Sequence, residues 1–173
     1  RHPVDDVRNP LKVGVSDPRS LCHALTVTAA EQQTMNFYMN MGNRPLEPLA
    51  RGLYLEIAMI EEQHVSHYES MMDAGATWTQ MLVLHEYNEC YLYHSFMQTE
   101  VDPRIKQLWE LHLAMEIEHL RLACELMRKL DRTDPEAMLP KELPDPVTFK
   151  SNREYIRNVL ATQVDLTADL AFF

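Results

Sequence analysis

The chain has 173 residues, with 16 basic and 26 acidic side chains and a net charge of −10. That length suits one domain with its own core, and four glycines, against roughly 12 at an average usage of about 7%, disfavour a many-turned β architecture and point to an all-α protein. The acidic balance excludes the basic footprint of a nucleic-acid binder and suits cations as ligands.

The opening residues, RHPVDDVRNP, carry no apolar run, so no signal peptide is expected there; the start without Met fits removal of an upstream segment. No apolar run reaches the roughly 18 residues that a membrane helix needs. Cys22, Cys90 and Cys124 are isolated. The lack of a CxxC pair excludes a rubredoxin-type iron site or a CxxC zinc site within these residues. So sparse and odd a count suggests a reducing compartment, the cytoplasm, with all three as small core residues.

Prolines mark the element boundaries. Asp17-Pro18, Glu47-Pro48 and Asp102-Pro103 read as an N-cap followed by Pro in the first helical turn. Gly42 and Gly75 fall where helix C-caps belong. The spacing predicts helices over 18–41, 48–72, 78–99 and 103–130. Residues 131–147 read as a loop that wraps the surface. Ser151-x-x-Glu154 reads as a capping box opening a fifth helix to about 165, with Tyr155, Ile156, Val159 and Leu160 on one face. The apolar end, Leu170-Ala171-Phe172-Phe173, suits docking. The expected organisation is a single domain, with a helical bundle over 18–130 and a loop and helix over 131–173 docked on it.

Each of the four main helices carries acids within its apolar stripe. Glu31 lies among Ala24, Val27, Met35 and Tyr38. Glu61 and His64 lie among Tyr54, Ile57, Val65 and Tyr68. Glu86 and Glu89 lie among Leu82, Val83, Cys90 and Tyr93. Glu116 and His119 lie among Trp109, Leu113, Leu120 and Ala123. These are i, i+3, i+4, i+7 sets, so the carboxylates point to the expected bundle core. Uncompensated carboxylates there cost several kcal/mol each, so they call for protons or a metal.

An internal register strengthens the reading. Glu31 and Glu86, Tyr38 and Tyr93, Pro48 and Pro103, Glu61 and Glu116, and His64 and His119 are all 55 residues apart. The chain is two copies of one unit: a helix with Glu, a turn, and a helix with Glu-x-x-His. Residues i and i+3 share a helix face, so each Glu-x-x-His supplies an oxygen and a nitrogen to one place. Four carboxylates and two imidazoles offset two divalent ions and suit iron or manganese. His67, His85, His94 and His112 break the register and read as surface or packing residues. Glu56, Glu62, Glu110 and Glu118 fall off the stripe and read as solvated.

The order Glu, Glu-x-x-His, Glu, Glu-x-x-His resembles the ferritin-like di-iron carboxylate proteins over residues 18–130, and within them most resembles the rubrerythrins. The added Glu89, one turn after Glu86, and the tyrosines two turns after the single glutamates carry that closer likeness. The resemblance implies a ferritin-like four-helix bundle. It implies two Fe ions, or Mn, on Glu31, Glu61, His64, Glu86, Glu116 and His119, with Glu89 as an exchangeable seventh ligand. Tyr38 and Tyr93 would be donors to the ligand carboxylates. The implied activity is a non-haem peroxidase-type oxidoreductase acting on hydrogen peroxide or dioxygen. With no CxxC domain in the chain, electrons would come from a separate donor protein. A ferroxidase or iron-storage protein, a manganese catalase, a di-iron oxygenase and a bundle serving as an interaction module are the other functions weighed.

Topology is constrained by length. A ferritin-like bundle runs its second and third helices parallel, yet only 24 residues separate Glu61 from Glu86. About nine extended residues at ~3.3 Å each can just recover the bundle length, so 71–79 should be largely non-helical. The alternatives are plain up-down-up-down packing, or near end-to-end helices in a swapped homodimer whose metal sites are completed by two chains.

Overall fold

A computed structural model describes residues 6–148 and 150–167. Among them the chain is all-α, with α1 (Pro18–Met41), α2 (Pro48–Glu69), α3 (Trp78–Thr99), α4 (Pro103–Leu130) and α5 (Arg153–Thr167), plus a 3-10 turn at Pro135–Ala137. Asp17, Glu47 and Asp102 cap α1, α2 and α4, each accepting from the backbone N–H two residues on. Each is followed by Pro, whose missing N–H costs nothing in a first turn.

Two boundaries differ from expectation. The second helix stops at Glu69 rather than 72. The Ser70 hydroxyl donates to the His67 carbonyl, and the Met71 carbonyl accepts from Leu11, so the next turn is committed elsewhere. Gly75 is no C-cap; it lies in a turn closed by Asp73, whose carboxylate accepts from the Gly75 N–H at 2.9 Å. Gly42 does cap α1, in right-handed geometry. A Cβ there would meet the Tyr38 carbonyl at 3.0 Å and Tyr54 Cβ at 3.3 Å, so glycine permits the close turn into α2.

The helices pair as two hairpins. α1 packs along α2, and α3 along α4; the hairpins meet chiefly where α1 touches α3. The core sits at that junction, built from Leu21, Val83, Leu84, Ala123, Met127 and Met138. Thr26 and Asn88 join the hairpins through a side-chain hydrogen bond of 2.9 Å. Asp131, which caps the end of α4, accepts from the hydroxyls of Thr77 and Thr79 at the start of α3.

The α2–α3 connection is non-helical, as expected of 71–79, but it is folded into turns rather than stretched. The N-terminal segment straps it down: Val7 donates to the Ser70 hydroxyl, Leu11 to the Met71 carbonyl and Val13 to the Asp73 carboxylate. A connection so compact leaves α2 and α4 without extended contact.

The 131–147 loop follows the surface. Its Pro135 and Met138 are buried, and its Asp145 carbonyl accepts from the Tyr91 hydroxyl at 2.7 Å. Ser151 accepts from the Arg153 N–H at the start of α5, where Tyr155 and Ile156 are exposed. Leu170-Ala171-Phe172-Phe173 lies outside the described residues.

Candidate metal centre

Each hairpin builds one cluster. On the first, α1 contributes Glu31 and α2 contributes Glu61 and His64. On the second, α3 contributes Glu86 and α4 contributes Glu116 and His119. Within each set the donor atoms all lie within 4.8 Å of one another, and each set can hold a metal ion. The six expected ligands are thus brought together as two threes.

The two sets match in detail. His64 Nδ1 lies 3.0 Å from Glu61 and 3.5 Å from Glu31; His119 Nδ1 lies 2.8 Å from Glu116 and 3.8 Å from Glu86. The carboxylates are inner and the imidazoles outer: the side chains of His64 and His119 are 45% and 47% exposed, those of the four glutamates 14–21%. The i, i+3 spacing sets each His–Glu contact, and the helix pairing brings the third residue across.

Carboxylates this close compete for charge. A proton shared with Glu61 raises the Glu31 pKa above the ordinary carboxylate value, with burial adding to it. Burial raises Glu86, and a hydrogen bond with Glu116 adds to it. The hydrogen bond to Glu116 raises His119 above the usual imidazole value. A bound cation would replace these protons.

The aromatic surroundings also repeat. Tyr38 lies 5.6 Å from Tyr54 on the first hairpin, and Tyr93 lies 6.0 Å from Trp109 at the equivalent pair of the second. Phe96 and His112 complete a larger cluster there, His112 packing edge-on against Tyr93 at 5.1 Å. Neither the Tyr38 nor the Tyr93 hydroxyl bonds a ligand carboxylate among the described residues. Burial raises the Tyr93 pKa, and the charges of Glu89 and Glu116 raise it further. Glu89 is half-buried one turn beyond Glu86 and outside the set of three. Its counterpart Thr34 donates to the Ala30 carbonyl.

Other expectations find their places. Glu118 is exposed and paired with Arg121. His85 is exposed, its charge opposing the rise in the Glu86 pKa. Cys22 and Cys90 are buried and Cys124 half-buried, all as free thiols. The Thr77, Thr79 and Asp131 link escaped the sequence reading, although Thr77-x-x-Gln80 is a capping box visible in the sequence. No helix among the described residues is long and apolar enough to cross a membrane. The chain matches no family model, no curated protein and no solved structure.

Proposed function

We infer that the chain is a ferritin-like di-metal carboxylate oxidoreductase of rubrerythrin type, reducing hydrogen peroxide or dioxygen with two iron ions. The repetition carries the reading: two Glu/Glu/His sets occupy equivalent positions on two hairpins, each with donor atoms within 4.8 Å. A solvated acidic face has no reason to reproduce the same three ligands at the same spacing.

The donors fit such a metal. Carboxylate oxygens and imidazole nitrogens suit divalent iron, and manganese second. Glu31, Glu61 and His64 would hold one part of the centre, and Glu86, Glu116 and His119 the other. When bound, the metal pair supplies two electrons to the oxidant. The chain's residues do the rest. The inner glutamates release their shared protons as cations enter. The half-exposed imidazoles leave an approach from solvent. Tyr93 and Phe96 of α3 pack with Trp109 of α4 into an aromatic cluster between the two helices of the second hairpin. No CxxC pair lies within these 173 residues, so electrons come from a donor outside them, and three free cysteines suit the cytoplasm.

The test is metal content and an optical spectrum of protein purified from iron-replete cells, followed by peroxide consumption with a chemical reductant. Two ions per chain and reductant-dependent peroxide loss support the reading. Absence of metal from the wild type, or metal without peroxide or dioxygen turnover, overturns it.

A further inference from the structure

Three residues per hairpin leave each half-centre open, and a helix face that is largely exposed among the described residues runs through each one, with His112 packed inward against Tyr93. On α2, Leu53, Ile57, Ile60 and His64 follow one another at spacings of four, three and four. On α4, Leu108, His112, Met115 and His119 do the same, 55 residues on. That is the seam of a helix packed lengthwise on another helix. Yet Leu53 is 56% exposed, Ile60 49% and Met115 48%. The stripe on α4 continues to Leu122, 49% exposed, which with Leu82, Ala123 and Leu126 lines an open groove of about 340 Å³ beside Glu86 and His119.

The two stripes do not meet within the chain. The Asp73 turn, the N-terminal strap and the junction of Leu21 with Val83 and Leu84 hold the hairpins so that α2 and α4 stay apart.

We propose that two copies dock with α2 of one against α4 of the other, so that each Glu31/Glu61/His64 set meets the Glu86/Glu116/His119 set of the partner chain. This rests on the metal reading above. The occupant is a second copy because the stripe passes through the ligands. A partner without ligands would bury each set's two carboxylates with a single imidazole to offset them, a charge short of balance even if that imidazole is protonated. The other hairpin of this same chain instead brings a stripe of equal spacing and the missing three ligands. Unlike hairpins pair because one two-fold axis then covers both stripes of both chains and closes the dimer. Pairing like with like covers one stripe per contact and leaves the other free, so chains would propagate. Unlike pairing also gives every centre one Thr34 side and one Glu89 side.

Complementation tests the arrangement. One variant loses the first set (Glu61→Ala with His64→Ala) and the other loses the second (Glu116→Ala with His119→Ala). Each is purified alone, and the two are co-expressed with different tags and purified through both. The proposal expects each variant alone to lose every two-ion centre. The doubly tagged heterodimer should regain one centre, half the wild-type metal. Half the wild-type number of two-ion centres in each single variant, counted from the spectrum of the coupled pair because an intact set of three can keep a single ion, would show like-with-like pairing. No recovery in the heterodimer, with wild type at two ions per chain, would place the centre within one chain; either outcome overturns the proposal. A wild type without metal fails the metal reading itself, a separate result. Sedimentation guards against misfolded variants. Ile60→Lys with Met115→Lys, which touches no ligand, should turn the dimer into a folded monomer. An unchanged dimer overturns the docking.

Discussion

The two hairpins carry matching Glu/Glu/His sets in closely similar geometry, yet these sets stand in different surroundings. The second hairpin holds most of the buried core: Thr79, Val83, Leu84, Tyr87, Asn88 and Cys90 on α3, with Ala123 and Met127 on α4. In the first, only Leu21, Cys22 and Ala24 on α1 and Ala58 on α2 are buried. The residues that stay alike across the two copies are the Glu/Glu/His sets, Tyr38 and Tyr93, Leu53 and Leu108, and the prolines that open α2 and α4. Of the buried core, Leu21, Val83, Leu84 and Ala123 diverge from their counterparts, and Met127 alone matches its own, Met72. A fold preserved for packing alone would show the reverse, so the comparison separates what the repeat does chemically from what holds it up.

The largest expected effect tests the chemical likeness. Glu61→Ala and Glu116→Ala remove equivalent inner carboxylates, and each should cost at least one of two bound ions per chain by elemental analysis. Equal metal in wild type and both variants would dissolve the equivalence. A strong loss in one variant alone would confine the centre to one hairpin.

The structural difference predicts a smaller, asymmetric effect. Leu84 is fully buried, and Leu84→Ala should cost about 2–5 kcal/mol in urea unfolding of the metal-free protein. Leu53 is 56% exposed, and Leu53→Ala should cost no more than about 0.5 kcal/mol in the monomer at low protein concentration. Similar losses at both sites would mean that the exposed stripe on α2 is covered even in dilute, metal-free protein.

Much of this was legible in the sequence because the signals are local. An acid before a proline fixes where α1, α2 and α4 start, and i, i+3 spacing on a helix places His64 beside Glu61 whatever the rest of the fold does. The 55-residue offset then makes one half predict the other. The failures are all long-range. Nothing local announces that Leu11 will take the Met71 carbonyl or that Val13 will bind Asp73, each about 60 residues away. Those contacts end α2 early, coil the connection and keep the two sets of three apart. Asp131 reaching back to Thr77 and Thr79 is of the same kind.

The shared protons make a further difference measurable by pH. In the metal-free protein Glu31 and Glu86 ionise above the ordinary carboxylate range, and His119 above the ordinary imidazole range. The unfolded chain releases those protons at lower pH, so the folded state holds more of them in between. Metal-free stability should therefore fall as pH rises through the raised carboxylate range, and again through the His119 range. A cation takes over the protons' role, so the gain in Tm on adding Fe(II) anaerobically should be larger at about pH 7 than at about pH 5. An equal gain at both would argue against carboxylates that share protons. Since burial is the leading cause only for Glu86, Glu86→Gln should remove more of the pH dependence than a surface change such as Glu62→Gln.

The smallest expected effect addresses the one acid that the first hairpin lacks. Glu89 stands where the first hairpin has Thr34, half-buried and one turn beyond Glu86. Its charge raises the Tyr93 pKa, second to burial. It is outside the set of three, so Glu89→Ala should leave the metal content unchanged. Its i, i+3 spacing from Glu86 lets it present a second carboxylate to the same edge of the centre, which matters only when the metal's charge changes. Reoxidation of the reduced protein by peroxide, followed by stopped flow, should slow by several-fold, with less effect on reoxidation by dioxygen. The Tyr93 phenol should move part of the way toward its ordinary pKa in an ultraviolet titration, burial keeping the remainder. Unchanged peroxide kinetics together with a shifted Tyr93 would assign Glu89 to that electrostatic neighbourhood alone. Faster reaction of the wild type with dioxygen than with peroxide would favour an iron-oxidising or oxygenase role over peroxide reduction.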